Sequence, residues 1–157
     1  MQLSLNSNSD NDIFAYDPAG NRISYKNEDY YIFNEDNGLL ENTREQLAYD
    51  NNGNLVKKSD SNGSVNYDFN IKNRLVEVDK NSGDTIAAYY YDPFGRRLWK
   101  EVNGTRTYFF YSEQGLVAEY DESGNQIKSY GYKPGSNWTT DPVFMKRVNI
   151  IFILMTI

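Results

Sequence analysis

Short hydrophobic and aromatic segments alternate with clusters of Asp, Asn and Gly along most of the chain. Residues 85–91 and 96–102 are two such segments. In the second of these, alternation places Arg97 and Trp99 on one face of an extended strand and Leu98 on the other. Period-two spacing bounded by turn residues favours strands over helices. We therefore predict an antiparallel meander of strands and tight turns from residue 85 to residue 132.

A motif of Tyr, Asp, two variable residues and Gly recurs at the ends of the predicted strands. Its copies are Tyr16, Asp17 and Gly20; Tyr49, Asp50 and Gly53; Tyr91, Asp92 and Gly95; and Tyr120, Asp121 and Gly124. Asp at the first turn position accepts backbone N–H groups, and Gly supplies the positive φ that closes the turn. Degenerate copies begin at Tyr67 and Tyr111, so Tyr49, Tyr67, Tyr91 and Tyr111 are spaced by about 20 residues. One β-hairpin per repeat fits this period.

Other turn signals lie between the copies of the motif. Residues 60–63, residues 79–83 and the pair Asn103-Gly104 each combine Asp, Asn or Ser with Gly, and Asn-Gly is the preferred pair for a two-residue hairpin. Residues 26–47 fit the pattern less well. Residues 31–33 favour a strand, whereas residues 39–47 fit either a helical turn or a loop, and the sequence leaves these alternatives open.

Composition excludes several kinds of chemistry. The 157 residues include neither Cys nor His, which removes disulfides, thiolate nucleophiles, His-dependent triads and His-ligated metals. The formal net charge of −6 disfavours binding to nucleic acid or anionic lipid, because both require an excess of Lys and Arg. The terminal apolar stretch is about half the roughly 20 residues that a spanning helix needs.

Carboxylates are the main chemistry that remains, and they offer two candidate sites. Residues 50–53 and 60–63 faintly resemble calcium loops but lack the downstream Glu of an EF-hand. Adjacent acidic pairs such as Glu28-Asp29 would point to opposite faces of a strand, which does not suit a glycosidase. We predict no catalytic residue, no metal site and no cofactor.

Exposed aromatic side chains provide candidate binding residues. Trp99, Trp138 and Tyr108 head a group that also includes Tyr89, Tyr90, Phe109 and Phe110. Such rings can stack on sugars in a carbohydrate-binding surface. The alternative is that they form a cross-strand packing ladder, which is a normal stabiliser of sheets.

The tandem motif resembles the YD-repeat proteins of the RHS and teneurin group. Residues 91–97, followed by Asn103-Gly104, residues 116–121 and Gly124-Asn125, are similar to the bacterial RHS-associated core. The resemblance implies an all-β fold in which tandem hairpins form a curved antiparallel sheet, a segment of an RHS-type β-shell. In that family the shell encloses a variable C-terminal toxin exported for competition between bacteria, and teneurin relatives use it in cell-surface adhesion.

These observations give three predicted regions and two functional hypotheses. Residues 1–13 form a polar N-terminal segment, residues 14–147 the YD/RHS repeat region, and residues 148–157 an apolar tail. We hypothesise that a frameshift produced the tail and truncated a longer reading frame; the alternative is a natural apolar last strand. The first function is a non-enzymatic shell segment of a toxin-delivering parent protein, and the alternative is a carbohydrate- or protein-binding module in adhesion.

The predicted partners are the remainder of an RHS shell or its toxin domain, surface glycans, and further copies of the chain through open sheet edges. No nucleic acid and no membrane span are expected. The first ten residues lack the basic start and apolar core of a secretory signal. The resemblance implies a secreted or cell-surface parent protein that is cytoplasmic before export.

Overall fold

The computed structural model describes residues 3–5, 12–25, 29–135, 142–147 and 150–153. Every regular element in these ranges is a β-strand, which confirms the predicted all-β class. Within the same ranges there is no helix of the length and apolarity needed to cross a membrane. The chain forms two units, Met1–Asp84 and Thr85–Ile157, here called the N-terminal and C-terminal units.

The described strands of the N-terminal unit are β1 (Leu3–Leu5), β2 (Asp12–Tyr16), β3 (Arg22–Tyr25), β4 (Asp29–Phe33), β5 (Leu39–Asn42), β6 (Glu45–Tyr49), β7 (Leu55–Asp60), β8 (Gly63–Phe69) and β9 (Leu75–Lys80). Each pairs antiparallel with its neighbours in the chain. The segment 39–47, which the sequence left between helix and loop, forms β5 and β6.

The described strands of the C-terminal unit are β10 (Thr85–Tyr91), β11 (Arg97–Val102), β12 (Thr105–Ser112), β13 (Gly115–Asp121), β14 (Gln126–Gly131), β15 (Phe144–Arg147) and β16 (Ile150–Ile153). They also pair antiparallel in chain order. The meander predicted for residues 85–132 is confirmed, and its first two strands lie within one residue of the expected segments 85–91 and 96–102. The predicted tail contributes β16, whose backbone pairs with β15.

One five-residue turn recurs through both units. Its first residue donates its N–H to the carbonyl of the fifth and accepts the N–H of the fourth, and the fourth has positive φ. It spans residues 17–21, 34–38, 50–54, 70–74, 80–84, 92–96 and 121–125. In two of these turns the fourth residue is Asn37 or Asn73, with φ of 61° and 55°, where the others have Gly. Asn tolerates this left-handed conformation better than other non-Gly residues.

A register shift follows most of these turns. Ala48 lies opposite Lys57 and Tyr49 lies opposite Leu55, so Val56 is left without a partner. The equivalent unopposed residues after five of the other turns are all aliphatic: Ile23, Leu40, Val76, Leu98 and Ile127. Val117 is also unopposed, after the different turn that joins β12 to β13. An extra residue in one strand of a pair bends that strand and increases its twist.

A tyrosine hydroxyl ties successive hairpins together. Tyr49, at the end of β6, donates to the carbonyl of Leu39, the first residue of β5, at 2.9 Å. Tyr111 makes the same bond to Arg97, and Tyr132 makes it to Leu116, both at 2.9 Å. In each case the tyrosine lies at or next to the end of one strand and the carbonyl at or next to the start of the preceding strand. We call this contact the tyrosine clamp.

Burial is shallow in both units. Among the described residues, the buried ones are Val78, Ala87, Thr107, Gly115, Ala118 and Glu119, and no large side chain is fully buried. Most other strand residues are half-buried on both faces. Cross-strand pairs and turn hydrogen bonds therefore carry more of the stability than they do in a layered domain.

The clamp predicts the effect of two opposite substitutions. Phe69 is the last residue of β8, and its position relative to Leu55 on β7 is the same as the position of Tyr49 relative to Leu39 on β5. Phe69 lacks the hydroxyl that makes the clamp. Phe69→Tyr should raise the free energy of unfolding by about 1 kcal/mol, and Tyr49→Phe should lower it by a similar amount, as expected for one net hydrogen bond. Urea denaturation measures both.

Tyr120→Phe is the control for this prediction. The Tyr120 hydroxyl makes only an exposed 3.5 Å contact with Gln126, so its loss should leave the urea midpoint nearly unchanged. Equal effects of Tyr49→Phe and Tyr120→Phe would show that the clamp does not stabilise the fold.

Candidate functional site: the turns, the aromatic row and the Arg97 pocket

The Asp of each predicted motif holds its turn with both carboxylate oxygens. In Asp50, Oδ1 accepts the N–H groups of Asn52 and Asn54 at 2.9 and 2.8 Å, and Oδ2 accepts the Asn54 side-chain amide at 2.9 Å. Asp17 and Asp121 bind the fifth turn residue, Asn21 or Asn125, in the same way. Asp92 binds the N–H and the guanidinium of Arg96 instead. These bonds are turn chemistry, and they engage both oxygens of all four carboxylates.

The same bonds lower the pKa of these carboxyl groups. The Asn54 side chain holds the pKa of Asp50 below its ordinary value, against a smaller opposing effect of burial. Asn21 and Asn125 do the same for the pKa of Asp17 and Asp121. For Asp92, burial raises the pKa, but the backbone and side chain of Arg96 outweigh it and the net pKa is lowered.

Neighbouring turns are also linked side by side in the N-terminal unit. The Asn21 side chain donates to the Asn37 side chain at 2.8 Å, and Asn54 donates to Asn73 at 3.0 Å. Alternate turns of a meander lie at the same edge of a sheet, so these pairs join consecutive same-edge turns. The two motif copies of the C-terminal unit lie at opposite edges, because the turn 92–96 joins β10 to β11 and the turn 121–125 joins β13 to β14.

Two of the predicted binding residues lie in one aromatic row. Tyr90, Trp99, Tyr108 and Tyr120 lie directly opposite one another on strands β10 to β13. The rings of Tyr90 and Trp99 stack with centroids 6.0 Å apart, and Phe110 meets Tyr120 edge-on at 5.0 Å. Such cross-strand contacts stabilise a sheet.

The remaining predicted aromatics are distributed elsewhere. Tyr89 and Phe109 alternate with the row and lie on the other face of the sheet. Trp138 lies outside the described residues. The ring of Trp99 is partly covered, because the Arg106 guanidinium lies 4.2 Å from its centroid and is held by Glu101 at 2.8 Å.

The face opposite the aromatic row carries a buried acidic residue. Glu119 is 6% exposed and accepts the Lys128 ammonium at 3.2 Å and the Tyr130 hydroxyl. Burial and this hydrogen bond raise the pKa of Tyr130, so the phenol stays protonated and donates. A charge this deep is stable only because both partners are present.

A pocket of about 670 Å³ lies beside the turn 92–96 on that same side. Arg97 lines it, so the bulge at Leu98 places Arg97 on the face opposite Trp99, and the predicted alternation that put both residues on one face is wrong at this point. Its apolar wall is formed by Phe94, Phe109, Leu116 and the rings of Tyr91 and Tyr111, and its polar groups are Arg96 and Arg97. Arg96 is paired with Asp92. Arg97 donates to the Tyr91 hydroxyl at 3.2 Å, while its Nε is buried and has no hydrogen-bond acceptor in the described part of the chain. No motif or residue pattern in the sequence indicates this pocket.

Comparison with known proteins identifies the family. The chain matches the family model described as the teneurin YD-shell over residues 1–149. The chain belongs to this family. The resemblance to RHS and YD-repeat proteins, and the fold class that it implied, are thereby confirmed.

Curated relatives of this YD-shell segment are much longer proteins. It is 37% identical over 103 residues to the tRNA nuclease WapA of Bacillus subtilis strain 168, which covers 64% of this chain and 4% of the relative. It is 36% identical over 103 residues to the tRNA3(Ser)-specific nuclease WapA of Bacillus spizizenii, and this match again covers 64% of this chain and 4% of the relative. The chain thus spans a small fraction of the relatives that it matches.

The YD-shell turns include copies that the sequence motif did not identify. The degenerate copy assigned to Tyr67 is in fact formed two residues later, where Phe69 precedes the turn 70–74. Asn70 replaces Asp and accepts the N–H groups of Lys72 and Arg74, and Asn73 replaces Gly. Asn34 heads the turn 34–38 in the same way. The aliphatic residue two positions beyond each turn is the signal that aligns all the copies.

The lowered pKa values predict acid sensitivity of this YD-shell segment. Because the folded state binds protons at Asp17, Asp50 and Asp121 less readily than the unfolded state, these groups stabilise the fold above their ordinary pKa. That stability is lost as the pH falls through the lower folded values. The melting temperature should be level at neutral pH and should fall below about pH 4.

A triple variant tests the source of this slope. Asp17→Asn, Asp50→Asn and Asp121→Asn together should lower Tm at pH 7 and flatten its decline in acid, because Asn34 and Asn70 show that the turn accepts Asn. Glu113→Gln, outside these five-residue turns, serves as the control. An unchanged decline in the triple variant would assign the acid sensitivity to other groups.

Proposed function

We propose that the chain is a wall segment of a YD shell that, in a longer parent protein, encloses and delivers a C-terminal toxin in competition between bacteria. The segment itself is non-enzymatic in this proposal. It acts with the remainder of the shell and with the enclosed domain. The parent protein is secreted or displayed at the cell surface.

Shallow burial is the observation that carries this proposal. A stable isolated domain covers one face of each sheet with another layer. Here the described side chains are mostly half-buried on both faces, and the hairpins contact only their chain neighbours. A wall that continues into further repeats and faces a polypeptide on one side supplies the missing cover. The same openness makes self-association through sheet edges the expected behaviour of the isolated chain.

The relatives support the toxin part of the proposal. Their names describe tRNA nucleases, and the matched segment is 4% of their length, which leaves ample chain for a separate catalytic domain. Genomic DNA on both sides provides the first discriminating observation. A toxin-coding segment downstream supports delivery, whereas a surface anchor upstream without such a segment supports adhesion.

Protease protection tests enclosure directly. In the native parent protein the C-terminal domain should be cleaved at least tenfold more slowly than the same domain alone. Gly20→Val with Gly53→Val should abolish this protection, because φ of 91° and 81° at these positions strains a β-branched residue by about 1–3 kcal/mol each.

Gly20→Asn with Gly53→Asn is the matched control and should keep the protection, since Asn37 and Asn73 occupy the same turn position. Digestion of the C-terminal domain at equal rates in the native parent protein and in isolation would contradict enclosure.

Glycan binding in adhesion is a second proposed function. Its support is the exposure of Tyr90 and Phe110, which are 56% and 53% exposed beside Tyr108. Against it, Tyr90 and Arg106 already contact the Trp99 ring. A glycan array with the native chain and Trp99→Ala separates the two roles: packing alone gives no glycan signal in either protein.

A further inference from the structure

The Arg97 pocket contains a charged group whose hydrogen-bonding capacity is mostly unused. A guanidinium carries five N–H donors in a planar fork. In Arg97 one of them reaches the Tyr91 hydroxyl, and the rings of Tyr89 and Tyr91 lie 4.7 and 5.5 Å from its central carbon. No carboxylate of the described residues pairs with it. Its buried Nε also has no acceptor among the described residues, so the guanidinium is not held by a carboxylate from either side. The part of the guanidinium that lines the pocket is the part that a ligand can reach.

The pocket walls define the chemistry of that partner. Phe94 is 83% exposed, which is unusual for a phenylalanine, and with Phe109 and Leu116 it lines an apolar surface next to the guanidinium. The volume of about 670 Å³ lies within the range of ligand sites, about 300–1,000 Å³. Arg96 does not compete for an anion, since Asp92 already pairs with it. Arginine prefers carboxylates, which it binds through two parallel hydrogen bonds.

We infer that this pocket binds a peptide that presents a carboxylate beside an apolar side chain, and that the peptide belongs to the polypeptide enclosed by the shell. The second half of this inference rests on the proposed function, whereas the chemistry of the pocket does not. A single open pocket binds weakly on its own. Weak contacts become effective when the ligand is tethered in the same protein at an effective concentration near millimolar.

Short peptides test the chemistry on the full 157-residue chain. The probe is acetyl-Gly-Leu-Asp-Gly-amide, and its neutral counterpart has Asn in place of Asp. NMR titration should show about tenfold tighter binding of the Asp peptide, as one charge-assisted hydrogen bond predicts. Arg97→Gln should remove this preference, and Phe94→Ser should weaken both peptides without unfolding the chain, because Phe94 is at an exposed turn.

Arg22→Gln provides the matched control. Arg22 begins β3 as Arg97 begins β11, and it too donates to a tyrosine hydroxyl and lies over aromatic rings. It is exposed and does not line this pocket. Arg22→Gln should leave both affinities unchanged. Equal binding of the two peptides, or equal effects of Arg22→Gln and Arg97→Gln, would overturn the assignment of the pocket.

Photocrosslinking in the parent protein tests the occupant separately. A photoreactive phenylalanine analogue at position 94 should crosslink to the C-terminal domain. The same analogue at position 71 should not, although Ile71 is fully exposed on another turn. Crosslinks confined to other wall repeats would show that the enclosed polypeptide does not occupy the pocket. If the C-terminal domain of the native parent protein is not protected from protease but the chain still prefers the Asp peptide over the Asn peptide, enclosure is rejected. The assignment of the pocket chemistry then still holds.

Discussion

A single hydrogen-bond pattern, an oxygen on the first turn residue accepting the N–H four residues on, determines the register of the hairpins. It closes the turn, places the preceding aromatic residue at the strand end, and is followed by the unopposed aliphatic residue. In Asp50 the second carboxylate oxygen reinforces it through Asn54. In Asn34 and Asn70 the amide oxygen alone suffices. Without that geometry the turn-to-turn amide contacts Asn21–Asn37 and Asn54–Asn73 would not be in reach.

Sequence reasoning predicted what local chemistry dictates. The strands of residues 85–132 and the motif turns followed from alternation and from the needs of a tight turn, and both are found. The sequence left the segment 39–47 undecided, because Leu39 and Leu40 fit either a helix or a strand. In the structure this segment forms two strands, because the Asn34 turn directs it back to pair with β4 and its two halves then pair with each other. The copy at residues 70–74 was misplaced because Phe69, Asn70 and Asn73 replace the Tyr, Asp and Gly of the motif.

Features that depend on side chains from several strands could not be predicted from the local sequence pattern. Nothing in the sequence distinguishes Arg97, with its unsatisfied Nε, from Arg22 in the equivalent position. The burial of Glu119 depends on Lys128 and Tyr130 from the next strand. The aromatic group was recognised, but its division between two faces required the register, since a shift of one residue exchanges the faces.

Within each unit, the pairing of the described strands with their immediate chain neighbours has a kinetic consequence. Contacts between residues close in sequence form quickly, because little loop entropy is lost before they are made. Each described hairpin pairs only with its chain neighbours, so strand pairing can proceed in chain order as the polypeptide emerges from the ribosome, before the further repeats that cover the faces are made. A protein assembled in this order can lengthen or shorten by whole hairpins during evolution while the remaining ones keep their structure.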